Sequence, residues 1–155
     1  MNIIKNIVLT IMLFVISGCG YSSIYSKQNY QDFQIEVIKI QGDNEFNNYI
    51  KNELKLYSNI NSNKKYLIEI NSHYKKIIIS KNASGTATNY NLTVSTNFTV
   101  IVNDKVKSFQ FKDSINMKKN NNSFEQKKYE ESIKRNFASS IREKLIIKIL
   151  SINDN

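Results

Sequence analysis

The chain is poor in the residues on which metal and redox chemistry depends. It has 155 residues with one cysteine, one histidine, no proline and no tryptophan. A single cysteine, Cys19, excludes an internal disulfide framework and a cysteine-based zinc site. A single histidine, His73, leaves little room for a histidine metal cluster. We therefore expect neither a metal site nor a cofactor.

Glycine is also scarce, with four in the whole chain, so a glycine-rich phosphate-binding loop is not expected. No serine lies in a nucleophile elbow. Glu36 and Glu69 are isolated carboxylates on predicted strands, and His73 is expected to be an exposed polar residue rather than a base. These absences favour a binding or assembly module over an enzyme.

Arginine is rare as well, and nearly all of the positive charge is lysine. Lysine and arginine together number 22 against 13 acidic residues, which gives a net charge of +9. Lysine, asparagine and isoleucine have A/T-rich codons, so one interpretation of the charge is genome bias. The other is an anionic partner such as nucleic acid, a membrane surface or an acidic lipid. Composition alone leaves both open.

What the N-terminus does contain is a targeting pattern. Residues 7–16 are apolar except for Thr10. This stretch is too short for a spanning helix, which needs about 20 residues, and has the length of a signal-peptide core. It ends in Ile16-Ser17-Gly18-Cys19, which resembles the bacterial lipobox. We predict that residues 1–18 are a lipoprotein signal peptide and that Cys19 is lipidated; the alternative is an ordinary signal peptide with an incidental cysteine.

Lipidation at Cys19 would anchor the protein to a membrane, because buried acyl chains supply the affinity. The next residue is Gly20 rather than the aspartate that commonly retains lipoproteins at the inner membrane. We therefore expect an outer-membrane lipoprotein that faces the periplasm. That location argues against a nucleic-acid partner and favours an anionic lipid or membrane surface.

Residues 19–32 are polar and predicted to form a lipidated tether, and residues 33–152 a single domain of the α+β class. Within it, apolar residues recur with the period of strands or of helices. This predicts strands over 33–40, 65–80, 90–102 and 106–116, and helices over 44–57 and from Ser123 to about Leu150.

Local signals refine this pattern. Asp43 is a candidate N-cap for the first helix, and Ser123 with Gln126 fits a capping box for the second. The alternation is lost at residues 77–79, which predicts a bulge or burial on both faces. The short turns predict two helices packed on one face of a four-stranded, mainly antiparallel sheet, in the order β-α-β-β-β-α.

The chain resembles the LPS-assembly lipoprotein family (LptE) in four places. These are the start Cys19-Gly20-Tyr21, the turn and alternating strand over 85–94, the aromatic Phe109 and Phe111 on the next strand, and the Ile/Leu-rich end of the last helix over 141–150. The resemblance covers nearly the whole chain after the signal peptide.

This resemblance implies a lipoprotein that binds and plugs the outer-membrane LPS translocon β-barrel (LptD-like), assists its assembly and contacts LPS. In the family, basic residues near the second hairpin tip and before the last helix contact LPS. The corresponding candidates here are Lys75, Lys76, Lys81, Lys118 and Lys119. The hairpin tip itself, residues 82–85, carries no basic residue. The alternative hypothesis is a free lipid-binding lipoprotein with a pocket between sheet and helices.

Overall fold

The computed structural model describes residues 33–58 and 62–153. Its elements follow the predicted order: β1 (Gln34–Gly42), α1 (Asn44–Ser58), β2 (Lys65–Lys81), β3 (Ala87–Val102), β4 (Lys105–Lys118) and α2 (Ser123–Asn153). The predicted signal peptide, tether and Cys19 lie outside the described residues.

The four strands form one sheet in the order β1-β2-β3-β4. β1 runs parallel to β2, while β3 is antiparallel to both β2 and β4. The parallel pair is the one that α1 connects, because a parallel pairing needs a crossover long enough to hold a helix. The antiparallel pairs are joined by short turns. The prediction of an α+β fold with a mainly antiparallel sheet is confirmed.

The core lies between one face of the sheet and both helices. Alternate residues of β2 and β3 are buried on that face, as the period of a strand requires. The strands contribute Tyr66, Ile68, Ile70, Leu92, Val94, Phe98 and Val100. The helices cover them with Phe46, Ile50, Leu54, Ile133, Phe137, Ile141, Leu145 and Ile149. Each of these large side chains stabilises the fold by about 1.5–3 kcal/mol relative to its exposed state.

The opposite face of the sheet is polar and carries hydrogen-bonded side chains instead of a core. The Asn91 amide donates to Ser114 Oγ at 2.9 Å and to Asn116 Oδ1 at 2.8 Å. Thr93 Oγ1 donates to Asn91 Oδ1 at 2.8 Å. His73 belongs to the same sheet region and is exposed, as predicted. This polar face is available to solvent or to a polar partner.

The structure decides between the two predictions for residues 77–79, a bulge or burial on both faces. The β2–β3 register shifts between Ile78 and Ser80, which is the predicted bulge. Burial on both faces is wrong, because Ile77, Ile78 and Ile79 are 53%, 51% and 46% exposed. Alternation is lost here because this part of the strand lies outside the packed core, so neither face is selected for burial.

The first helix cap is confirmed and the second is corrected. Asp43 Oδ1 accepts a hydrogen bond from the Phe46 amide at 2.8 Å. At the start of α2 the cap is Asn122, whose Oδ1 accepts from the Phe124 amide at 3.0 Å and the Glu125 amide at 3.3 Å. The predicted Ser123 cap is therefore one residue late. Asparagine and serine both suit an N-cap, so the sequence pattern alone does not show which of the adjacent Asn122 and Ser123 caps the helix.

Candidate functional site

The tip of the β2–β3 hairpin lies beside the loop that precedes α2. Lys118 pairs with Asn89 at the end of the β3–β4 ladder. The chain then continues along β3, and the Lys119 amide donates to the Thr88 carbonyl at 2.8 Å. This backbone contact holds the two predicted basic regions, the hairpin and the loop, next to each other.

Two adjoining grooves open at this junction. The first has a volume of about 740 Å³ and lies between the hairpin tip and the start of α2, where it is lined by Lys118, Lys119 and Tyr129 among others. The second has a volume of about 440 Å³ and includes Lys76, Tyr90 and Lys119. Lys119 borders both, so we refer to them together as the lysine grooves.

A carboxylate between lysines forms one side of the second groove. Glu130 Oε2 accepts a hydrogen bond from Lys76 Nζ at 2.5 Å. Its other oxygen accepts from the Tyr74 hydroxyl at 2.8 Å. Lys76 Nζ also lies 4.6 Å from the centre of the Tyr90 ring, a cation–π distance. Part of the positive charge of Lys76 is thus neutralised within the protein.

These contacts shift two ionisation equilibria in opposite directions. Burial acts to raise the pKa of Glu130, but hydrogen bonds from Lys76 and Tyr74 outweigh it and hold that pKa below its usual range. Burial, together with the hydrogen bond to the Glu130 carboxylate, raises the pKa of the Tyr74 hydroxyl well above its usual value. Glu130 is therefore ionised and Tyr74 neutral at pH 7.

Lys134 is a buried cation at the inner edge of the same groove. It is only 8% exposed. Its Nζ donates to Glu45 Oε2 at 2.8 Å and lies 4.7 Å from the centre of the Tyr74 ring. Because a buried charge is costly unless paired, these contacts make Lys134 a structural link between α1, β2 and α2.

The five predicted lysines do not form one cluster. Lys118 and Lys119 lie together in the first groove, and Lys76 lies in the second with Glu130 as its partner. Lys75, exposed, is opposite Thr93 on β3 and turns toward the polar face of the sheet. Lys81 is exposed at the end of β2 beside Ala87.

Three further residues of the grooves were not predicted from the sequence. Lys127 lines the second groove from the first turns of α2, while Tyr90 and Tyr129 supply aromatic rings. Tyr129 is in step with the buried Ile133 and Phe137 of α2, yet it is 52% exposed. The doublet Lys127-Lys128, about one turn after the basic loop, was the signal that could have identified Lys127.

Such an arrangement suits an anionic, partly apolar ligand. Lysine ammonium groups bind phosphate or carboxylate oxygens through charge-assisted hydrogen bonds. The exposed Tyr129 and the half-buried Tyr90 supply an amphipathic surface. Within residues 33–58 and 62–153, no group of histidine, cysteine or acidic residues is arranged to hold a metal ion. The described helices also include none with the length and hydrophobicity needed to cross a bilayer.

The fold has counterparts among solved lipoprotein structures. Rare lipoprotein B from Shewanella oneidensis matches with a TM-score of 0.57 at 12% identity, over 77% of this chain and 98% of that one. A putative lipoprotein from Caulobacter crescentus matches with a TM-score of 0.55 at 10% identity, over 77% and 90% of the two chains. Uncharacterized lipoprotein B from Nitrosomonas europaea gives 0.56 at 10% identity, over 83% and 90%.

These likenesses show that the chain has the fold of rare lipoprotein B. At 10–12% identity they concern the fold and not individual residues. No protein-family model matches the chain, and no curated protein matches it in sequence.

Proposed function

We propose that this protein is an outer-membrane lipoprotein that binds and plugs an LPS translocon β-barrel, assists its assembly and promotes LPS insertion into the outer leaflet. The observation that carries the proposal is the shared fold, which spans 98% of the rare lipoprotein B structure. Rare lipoprotein B is LptE, the partner of the barrel LptD. The sequence resemblance to the same family, at the N-terminal start and the second hairpin, supports it independently.

The location rests on the lipobox. Lipidation of Cys19 would tether the domain to the outer membrane through the polar segment 19–32. All three structural neighbours are lipoproteins, which supports a lipid-anchored location.

The surface chemistry agrees with a barrel partner. The interior of a large outer-membrane barrel is polar. The face of the sheet opposite the helices is covered by the hydrogen-bonded side chains of Asn91, Thr93, Ser114 and Asn116. This polar middle of the face suits a polar lumen, whereas Ile77 and Val106, which lie toward its two ends, are exposed apolar residues.

The LPS contact rests on the lysine grooves. LPS carries phosphates and acidic sugars, and Lys118 and Lys119 present exposed ammonium groups beside Tyr129. Lysine is a point charge and lacks the bidentate fork of arginine. We therefore expect contact through several lysines acting together and not through one dominant residue.

Crosslinking in the native membrane tests the barrel proposal. An affinity-tagged chain should capture a large β-barrel outer-membrane protein of the LptD type. A Cys19→Ser variant retains the domain but loses the lipid anchor and should capture much less of it. Recovery of the tagged chain without such a barrel, at normal expression and membrane location, would refute the proposal.

The alternative, a free lipid carrier, needs a ligand pocket between sheet and helices. In the described part of the chain that interface holds a continuous cluster of buried side chains, including Phe46, Phe98, Phe137 and Ile141. The lysine grooves are at the surface instead. A groove of about 380 Å³ also opens between β1 and α1, beside Val37 and Leu54. The packed cluster counts against a carrier whose ligand lies within the core, and a lipid found in this groove would restore that alternative.

A further inference from the structure

The outer half of β2 has no neighbouring strand on one side within the described residues. β1 pairs with β2 from Gln34 opposite Lys65 to Gly42 opposite Ser72. The chain then leaves the sheet and enters α1, while β2 continues to Lys81. We refer to residues 73–81 on this side as the open edge.

The direction of the backbone groups along the open edge follows from one hydrogen bond. The Ser72 carbonyl accepts from the Asp43 amide at 2.8 Å, so residue 72 turns its polar backbone groups away from β3. Every second residue of a strand turns these groups to the same side. The N–H and C=O groups of Tyr74, Lys76 and Ile78 therefore point outward, where no described strand meets them.

The open edge is apolar as well as unpaired. Ile77, Ile78 and Ile79 are all about half exposed. A strand edge with free backbone groups and exposed β-branched side chains is a template for pairing with another strand. Proteins commonly block such edges, and the bulge after Ile78 limits the template to its first part.

The charge around the open edge selects among possible occupants. Residues 70–103 contain Lys75, Lys76 and Lys81 but no aspartate or glutamate. Of the other carboxylates near Tyr74, Glu45 is paired with Lys134 and Asp43 caps α1. Lys76 is paired with Glu130, whereas Lys75 and Lys81 have no ion-pair partner among the described residues. A second copy of the chain would bring lysines against lysines. The chain's own segment 19–32 carries one lysine and one aspartate, so it offers no net negative charge.

We propose that the open edge binds, by strand addition, an extended segment of another protein in which apolar and acidic residues alternate. Main-chain hydrogen bonds to Tyr74, Lys76 and Ile78 would supply affinity, and the isoleucines and free lysines would supply selectivity. This inference goes beyond the proposed LPS function. It shares Lys76 with the second lysine groove, and Lys75 and Lys81 with the candidate LPS contacts, but it rests on the outward backbone groups of β2 and not on the grooves or the lipid anchor.

A synthetic peptide of alternating valine and glutamate is the probe. Added to the purified full-length chain, it should slow amide hydrogen exchange at Tyr74, Lys76 and Ile78 by about tenfold or more, the effect of one well-formed backbone bond on local opening. A peptide of alternating valine and lysine should leave these amides unchanged.

Two substitutions at one position separate edge pairing from general surface binding. Ile78→Pro removes the outward N–H without removing a donor from the β2–β3 ladder, and should weaken peptide binding by about tenfold. Ile78→Thr keeps the N–H and the β-branched shape, and should bind nearly as well as the wild type. Exchange in the β3–β4 ladder reports whether each variant is folded.

Several results would overturn the proposal. One is no protection by the acidic peptide, and another is equal protection by the lysine peptide. Protection that rises with protein concentration in the absence of peptide would assign the edge to a second copy. Protection in the dilute free chain that disappears when residues 20–32 are deleted would assign it to the chain's own tether.

Discussion

At the scale of single residues, two glycines with positive φ have different surroundings. Gly42 ends β1 with φ of 90°, and a Cβ added there would lie 2.0 Å from the Ser72 carbonyl oxygen. Gly85 in the hairpin turn has φ of 79°, and an added Cβ would meet nothing within 4 Å. Gly42 is therefore required both by conformation and by the close approach of β2.

This difference predicts unequal costs for the same substitution. Gly85→Ala should cost about 1–2 kcal/mol of unfolding free energy, because only the left-handed backbone is strained. Gly42→Ala should cost clearly more, since β1 and β2 must also separate. Urea unfolding of both variants measures the difference. Equal losses would show that the contact with Ser72 relaxes freely.

Glu130 makes stability depend on pH. Its folded-state pKa lies below the unfolded value, so it adds stability above the unfolded pKa that is lost as pH falls through the folded pKa. Glu130→Gln should lower the free energy of unfolding at pH 7. It should also reduce the further loss of stability as the pH falls below about 4.5.

The measurement is the denaturation midpoint of this variant between pH 3 and pH 7. Glu131→Gln is the matched control, because Glu131 is adjacent on α2 and has no ion-pair partner among the described residues. If the denaturation midpoint of Glu130→Gln fell with pH as that of the wild type does, the Lys76 and Tyr74 contacts would not stabilise the fold.

At the scale of elements, β2 divides into two parts with different roles. Its first part, through Ser72, is paired on both sides and buries Tyr66, Ile68 and Ile70. Its second part is paired only with β3 and exposes its isoleucines. The same strand therefore stabilises the core at one end and presents a surface at the other.

The start of α2 gives a prediction at this scale. Asn122 accepts hydrogen bonds from the first free amides of the helix, whereas Ser123 is its first residue. Asn122→Ala should destabilise the protein by about 1 kcal/mol, and Ser123→Ala by much less. Chemical denaturation compares them directly. A larger loss of stability for Ser123→Ala would support the Ser123 capping box predicted from the sequence.

At the scale of the whole molecule, the lysine grooves depend on three distant segments. The hairpin tip, the loop at Lys118 and Lys119, and the first turns of α2 meet only because the sheet register places Asn89 beside Lys118. The β3–β4 turn, with Lys105 and Lys107 beside it, lies at the other end of the sheet. The basic residues are therefore spread over opposite ends of one small domain.

Charge reversal tests whether the lysine grooves bind LPS. Lys118 and Lys119 line the first groove, and Lys81 lies beside it, opposite Ala87. Changing all three to glutamate should weaken LPS binding strongly while leaving the fold intact, because all three are exposed. A loss of about 1 kcal/mol or more for each lysine–phosphate contact corresponds to at least a fivefold weakening of LPS binding per contact. Isothermal titration with purified LPS measures it.

The matched control reverses Lys105, Lys107 and Lys112, which are also exposed but lie outside the grooves. The net charge then changes equally in both triple variants. Equal weakening in the two variants would assign LPS binding to overall charge. No weakening in either would leave codon bias as the explanation of the lysine excess.

Much of the fold could be predicted from the sequence because its signals are local. Alternation along residues 90–102 fixed which face of β3 is buried, and the step of the apolar residues fixed the inner face of α2. Asp43 marked a helix start through its own side chain. Each of these features depends on a few neighbouring residues whose periodicity records the environment they fold into.

Only the tertiary structure decided where the charges act. Lys75 and Lys76 are adjacent in sequence, yet they lie on opposite faces of the sheet, and only Lys76 meets Glu130, which comes from a different element. Likewise, only the end of β1 at Gly42 makes the outer half of β2 an open edge. The sequence by itself determined the elements and the core, because hydrophobic periodicity is a local property. Pairing between distant side chains and strands is fixed by register and chain path, and the tertiary structure alone supplies those.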